Sequence, residues 1–245
     1  MEQNVPDDYD PQCYWESRLS RDFTLRGVGH LGFSESYNKW LYRRKERCLR
    51  RALLRYSLVE KNVLDIGCGT GFFLRWYISH GAQVCGIDIT RTSIERLRKT
   101  IAAPLSVQDI TAPDFTSTNR FDIVNMWDVI YHVVDPIKME RAFRNISASL
   151  TDGGLLLFTD TFGSSENLSP APHVRNRGLA TYQSILPRLG FRLVKLEPLY
   201  RMLDKAHFGW LDNYLASVYF MMDCLTWTVS DANLSLGVWQ LSKCR

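Results

Sequence analysis

Along the chain, short apolar runs alternate with stretches whose apolar residues recur every three to four positions. Asn62 to Ile66 is a short apolar run ending in glycines, and Phe72 to His80 reads as a helix. Gln83 to Ile89 is β-branched and apolar, and Arg91 to Ile101 is helical again. The pairs continue with Leu105 to Ile110, with Phe121 to Val129 followed by Ile137 to Leu150, and with Gly154 to Thr159 followed by Leu179 to Leu189. Phe191 to Leu199 is a further strand. This alternation predicts an α/β fold with a mostly parallel sheet and helices on both faces. Ligands of such sheets bind at the carboxyl ends of the strands, near the switch point, so function is sought there.

The flanks follow other patterns. Residues 1 to 35 are rich in Tyr, Trp, Arg and Gly without a steady period, which suggests a partly helical arm. From Ser36 to Tyr56, apolar positions at helical spacing are interleaved with Arg43, Arg44, Lys45, Arg47, Arg50, Arg51 and Arg55. That run reads as a solvated helix face or, alternatively, as a docking surface for anionic lipid or phosphate. In the tail, Leu215, Val218, Tyr219, Met222, Leu225 and Val229 recur at helical spacing while Phe220, Met221, Cys224 and Trp227 make the opposite face apolar too. Such a helix is expected to be buried, as a roof over the acceptor pocket or as the contact of a homodimer, with Gly237 to Lys243 as a last antiparallel strand. The division expected is an arm over 1–57, a core over 58–205, and a helical lid with the last strand over 206–245.

The strongest motif is V-L-D-I-G-C-G-T-G, Val63 to Gly71, a strand running into Gly67, Gly69 and Gly71 and then a helix. Glycines suit unusual backbone angles and the close approach of a ligand to the main chain, and the helix start offers free N–H groups. A dinucleotide fingerprint would need a third glycine where Phe72 stands. Asp65 would repel a pyrophosphate but suits a ligand carrying an ammonium group.

On these residues the chain resembles the class I S-adenosylmethionine-dependent methyltransferases, and within them the small-molecule type 11 and type 12 group. The resemblance covers roughly residues 60 to 200 and implies a Rossmann-like, seven-stranded sheet with S-adenosyl-L-methionine as cofactor. It assigns Asp65, Gly67, Cys68, Gly69 and Gly71 to cofactor binding. Asp88, 17 residues after Gly71, would accept from both ribose hydroxyls. Asp109 would meet the adenine amino group between Ile89 and Ile110; the alternative is a strand-end acid that only caps the next turn. Trp127 or Asp128, ending the fourth strand, would stand beside the cofactor.

Methyl transfer requires alignment of the acceptor and, for a hydroxyl or ammonium group, removal of a proton. A histidine titrating near neutrality is the natural base, and two are placed for it: His132 after the fourth strand and His173 after the fifth. Tyr14, Arg175 and Arg177 are the expected acceptor contacts, the arginines as a clamp on a carboxylate or phosphate. Asp128 and Asp160 end neighbouring strands, but Thr161 follows where a ligand Asn would be expected, so no catalytic metal is expected.

Composition narrows this only at the margins. With 45% hydrophobic and 23% charged residues the sequence is neither disordered nor fibrous, and a net charge of +4 does not imply nucleic acid. The acidic first ten residues do not look like a signal peptide, and six cysteines without a C-x-x-C pair suggest reduced thiols; a cytoplasmic protein is expected.

Overall fold

The computed structural model describes residues 9–116, 119–163, 168–171, 173–225 and 228–242. Its seven-stranded sheet has the order β3-β2-β1-β4-β5-β9-β8. The strands are β1 (Asn62–Ile66), β2 (Gln83–Asp88), β3 (Leu105–Val107), β4 (Phe121–Met126), β5 (Leu150–Asp160), β8 (Phe191–Tyr200) and β9 (Leu234–Leu241). Only β9 runs against its neighbours. β1 and β4 lie at the centre with almost wholly buried side chains, as continuous apolar runs in a sheet covered on both faces must. The chain order reverses between β1 and β4, so a crevice opens beyond their carboxyl ends.

Three helices precede β1: α1 (Pro11–Arg21), α2 (Leu25–Val28) and α3 (Glu35–Ala52). Each starts on a side-chain cap, Asp10, Thr24 and Ser34 respectively, which satisfies otherwise orphaned N–H groups. The sheet crossovers are α4 (Phe72–Ser79), α5 (Arg91–Arg98), α6 (Pro136–Ser149) and α7 (Leu179–Ile185). α6 carries Pro136 in its first turn after the Asp135 cap, and packs Met139, Ala142, Phe143 and Ile146 into the core. A short hairpin that the pattern did not foretell, β6 (Leu168–Ala171) with β7 (Val174–Asn176), holds His173 in its turn.

The flanks depart from expectation in two places. Arg44 and Lys45 are not on a solvated face but are buried, 0% and 3% exposed, because α3 is covered by β8 on one side and by α8 (Asp212–Cys224) on another. Arg44 donates to the carbonyls of Pro198 and Asp223. α8 is not buried all round: only Asp212, Ala216, Tyr219 and Asp223 are, since the helix packs on α3 at the outside of the molecule. β9 begins at Leu234, earlier than expected, because Ser235 and Leu236 already pair with the last residues of β5. Trp227 and Lys243 lie outside the described residues.

Candidate active site

The loop leaving β1 turns through three left-handed glycines, Gly67, Gly69 and Gly71, with φ of 68°, 50° and 78°. At Gly67 a Cβ would stand 2.3 Å from Val129 Cγ2, and at Gly69 it would stand 2.9 Å from Val28 Cγ1, so neither position accepts a side chain. Gly67 N and Cys68 N donate to Ile87 O, which fastens the loop to β2.

Below the loop lies Asp65, 2% exposed. Its Oδ1 accepts from Asn125 Nδ2 at 2.7 Å, and Oδ2 has no partner. Burial pushes this carboxyl up to about 7, with the neighbouring Asp88 adding to the effect. Asn125 also accepts from Tyr77 Oη and Trp127 Nε1. Sequence reasoning missed Asn125; its one signal is a polar residue amid an apolar central strand.

Asp88 ends β2 and accepts from Gly69 N at 2.9 Å and from Thr90 N and Oγ1 at 2.9 and 2.7 Å. Burial raises its pKa and these bonds oppose the rise. Next to it, Glu16 of α1 accepts from Arg91 N and Thr92 N at the start of α5 and from Thr92 Oγ1, pinning the arm over this end of the crevice. Asp109 accepts from Thr111 N and Oγ1, the turn-capping arrangement, while still facing the same cavity as Ile89 and Ile110.

That cavity measures about 410 Å³. It is walled by Asp65, Gly67, Cys68, Gly69, Asp88, Ile89, Asp109, Ile110 and Trp127, and closed by Tyr9, Trp15 and Leu19 of the arm with Val28 of α2, while Gly71, expected at the cofactor, faces Leu97 and Ile101 and is not on the wall. The arm therefore covers the site, but α8, expected as a roof over the pocket, contributes nothing to its wall, and Trp210 just before α8 is 74% exposed.

At the far end stand Tyr42, Lys45, Asp128 and His132. Asp128 has a left-handed backbone, φ 56°, and accepts from Lys45 Nζ and from Thr159 Oγ1 at 3.0 Å. Burial acts to raise its pKa, but the Lys45 ammonium with Thr159 and Tyr131 outweighs that and holds it below the ordinary value. Lys45 also lies over the Tyr42 ring, 4.1 Å from its centroid. Lys45→Met leaves the Asp128 charge without its partner and is expected to lower stability by about 3 to 5 kcal/mol in denaturant unfolding. A loss within experimental error would show that Asp128 reaches water.

The His132 ring meets the Trp15 edge at 5.0 Å and lies parallel to His173 at 5.8 Å. His132 Nδ1 is 2.9 Å from the carbonyl of His173. A carbonyl only accepts, so Nδ1 carries the hydrogen and Nε2 keeps its lone pair. Burial pushes this imidazole down to about 4. It is thus neutral through the physiological range, and the expectation of a base titrating near neutrality is corrected.

The other candidates fall outside the cavity wall. His173 stacks on Tyr14 at 4.8 Å and lies parallel to His132, so neither Tyr14 nor His173 lines the cavity. Arg177 is 2% exposed, donates Nη1 and Nη2 to the carbonyls of Ile130, Val133, Val134 and Arg175, and does not line the cavity. Arg175, partly buried on β7, does not line the cavity either. Asp160 accepts from Tyr182 Oη, Thr161 N and Arg177 N, bracing β5 against the hairpin. No group of three or more His, Cys, Asp or Glu stands together as a ligand set among the described residues.

This strand order and glycine cradle define a Rossmann-like fold of the class I methyltransferase type. The chain belongs to the methyltransferase-domain family, whose model matches residues 37–210. It is similar to the ubiquinone biosynthesis O-methyltransferase of Histophilus somni, 32% identical over 112 residues, which are 42% of this chain and 46% of that relative. The chain thus spans less than half of that relative's length. Among solved structures it is similar to the N-methyltransferase NodS of Bradyrhizobium japonicum in complex with S-adenosyl-L-homocysteine, with a TM-score of 0.54, 20% identity, and 81% and 88% of the two chains covered. It is also similar to the magnesium protoporphyrin IX methyltransferase of Synechocystis with bound S-adenosylmethionine, with a TM-score of 0.64, 15% identity, and 94% and 95% covered.

Proposed function

We propose that the protein transfers a methyl group from S-adenosylmethionine to a small organic acceptor, with a hydroxyl oxygen as the acceptor atom. The observation that carries this reading is Asp65, a buried carboxyl on the cavity wall whose Oδ2 has no partner, beside a loop in which Gly67 and Gly69 accept no side chain. A buried carboxylate with a free oxygen calls for a cation, and the ammonium of the cofactor's amino-acid end has that chemistry. Asp88 would hold the ribose hydroxyls, and Ile89 and Ile110 the adenine. When bound, the cofactor supplies a methyl on a sulfonium, which leaves as a neutral thioether.

The chain's own residues then position and deprotonate. His132 Nε2 accepts the acceptor's proton, while its Nδ1–H stays on the His173 carbonyl and fixes the ring. Tyr9, Trp15 and Leu19 exclude water from the cavity. Lys45 and Asp128 give the acceptor end a fixed ion pair to dock against. An amine acceptor is the second reading, because the same base serves once the amine has lost its charge; the names of the relatives include both oxygen and nitrogen methyltransferases.

Calorimetric titration tests the cofactor. S-adenosylhomocysteine should bind and NAD should not. Because Asp65 holds its proton to about 7, binding of an ammonium must displace it. Affinity should therefore rise about tenfold from roughly pH 6 to 8, one proton being released on binding. Asp65→Asn should flatten that slope. The sign for the protein alone is the reverse: the raised pKa makes the folded state bind the proton more tightly, so this group's contribution to stability is lost as pH rises toward 7. A pH-independent affinity would remove Asp65 from the ammonium site. Label from the cofactor methyl should then appear in a small-molecule fraction of a cell extract, and label confined to protein or nucleic acid would overturn the small acceptor.

A further inference from the structure

Among the described residues, the outward face of α8 has no partner, and it carries no charge. Its two acids are turned inward and used up by the chain. Asp212 accepts from His207 N, Phe208 N and Tyr219 Oη, and Asp223 accepts from Arg201 N, Met202 N and Leu203 N. Outside stand Tyr214, Val218, Met221 and Leu225, at successive turns of one face and 77%, 49%, 68% and 65% exposed. Trp210, just before the helix, extends the stripe. Single exposed apolar residues are ordinary, whereas a continuous row marks a contact.

α3 lies alongside in the same direction. Ser34 N donates to Asn213 Oδ1 where both helices begin, and Arg44 Nη2 donates to Asp223 O near the end of α8. Trp40 of α3 packs on Phe220 of α8, with ring centroids 5.3 Å apart. The outward face of α3 carries Lys39, Arg43 and Arg47 at four-residue spacing, all exposed and none in an ion pair among the described residues. Arg43 rests over the Trp40 ring at 4.4 Å, at the seam between the helices. Like charges four apart on a helix repel one another, so this row is unfavourable until an anionic surface meets it.

We propose that these two faces form a docking surface for an anionic phospholipid bilayer, the α8 stripe lying at the boundary of headgroups and acyl chains and the α3 cations on the lipid phosphates. The helix lies in the surface and does not cross it: no helix among the described residues is long and apolar enough to span. Trp210 and Tyr214 have the apolar ring and polar tip that favour the interface, and a basic flank supplies the attraction that apolar area alone does not. A second copy of the chain fits less well, because a two-fold contact through the stripe brings the two cationic rows toward one another. The proposal does not depend on the methyl-transfer reading.

Vesicle flotation of the full chain tests it. The protein should float with vesicles of about three parts phosphatidylcholine to one part phosphatidylglycerol, less so at high salt, and poorly with phosphatidylcholine alone. Arg43→Ala with Arg47→Ala should lower the partition coefficient roughly 10- to 30-fold. Tyr214→Ser with Met221→Ser should abolish flotation while the melting temperature and S-adenosylhomocysteine affinity stay unchanged, since both residues are exposed and neither lines the cavity. Flotation unchanged in either double variant, or absent in the parent protein, would overturn the proposal. So would a dimer in light scattering that the Tyr214→Ser and Met221→Ser changes convert to a monomer.

Discussion

Gly69→Val is expected to abolish binding of S-adenosylhomocysteine, with affinity falling at least about 100-fold. Two effects act together. Gly69 has φ 50°, which a β-branched residue adopts only at a cost of about 1 to 2 kcal/mol. Its Cβ would also point at Val28, 2.9 Å from Cγ1, and the two further methyls of valine would occupy the space between the loop and α2. Gly69 N donates to Asp88 Oδ2, so a shifted loop also releases the carboxylate assigned to the ribose. The measurement is a calorimetric titration alongside thermal unfolding. A folded variant with parental affinity would show that the cofactor does not lie on this loop.

Replacing His132 should cost turnover while sparing cofactor affinity. General-base contributions are about 10²- to 10⁴-fold, and His132→Ala should lower turnover within that range. His132→Asn keeps an amide to donate to the His173 carbonyl but has no basic nitrogen, so it should fall as far, which separates lost chemistry from a loosened hairpin. Because burial holds the imidazole near 4, the parent rate should show no inflection around the ordinary histidine pKa and should decline only toward pH 5 and below. The same shift bears on stability. The unfolded chain binds this proton more readily than the folded one, so stability is full above the ordinary histidine value and is lost as pH falls toward 4. Turnover that survives both substitutions would leave positioning alone as the source of catalysis.

That the residues proposed for the cofactor meet at one cavity was legible in the sequence, because they lie at strand ends. Gly67, Gly69, Asp88, Ile89, Asp109 and Ile110 each end or follow a strand of the parallel sheet, and parallel strands place their carboxyl ends in one crevice whatever the rest of the chain does, whereas Gly71 turns toward Leu97 and Ile101 instead. The acceptor half was not legible to the same depth. Lys45 reads as one more cation in an arginine-rich helix, and only the packing of α3 against β8 and α8 brings it to Asp128, 83 positions away. Arg177 reads as an anion clamp, yet four carbonyls of the chain surround it.

Periodicity and turn chemistry are local, and they determined the α/β alternation, the glycine cradle and the acids around it. Which face of a helix is covered is not local. α8 reads as apolar on both faces by sequence, but among the described residues it is covered on one side only, so its other apolar face is exposed. The titration of a side chain is likewise set by what surrounds it: the same folding that orphans Asp65 Oδ2 and raises its pKa also encloses His132 and lowers that of its ring. Desolvation disfavours whichever form carries charge, so one cavity shifts the two groups in opposite directions, and only the tertiary structure decides which groups it encloses.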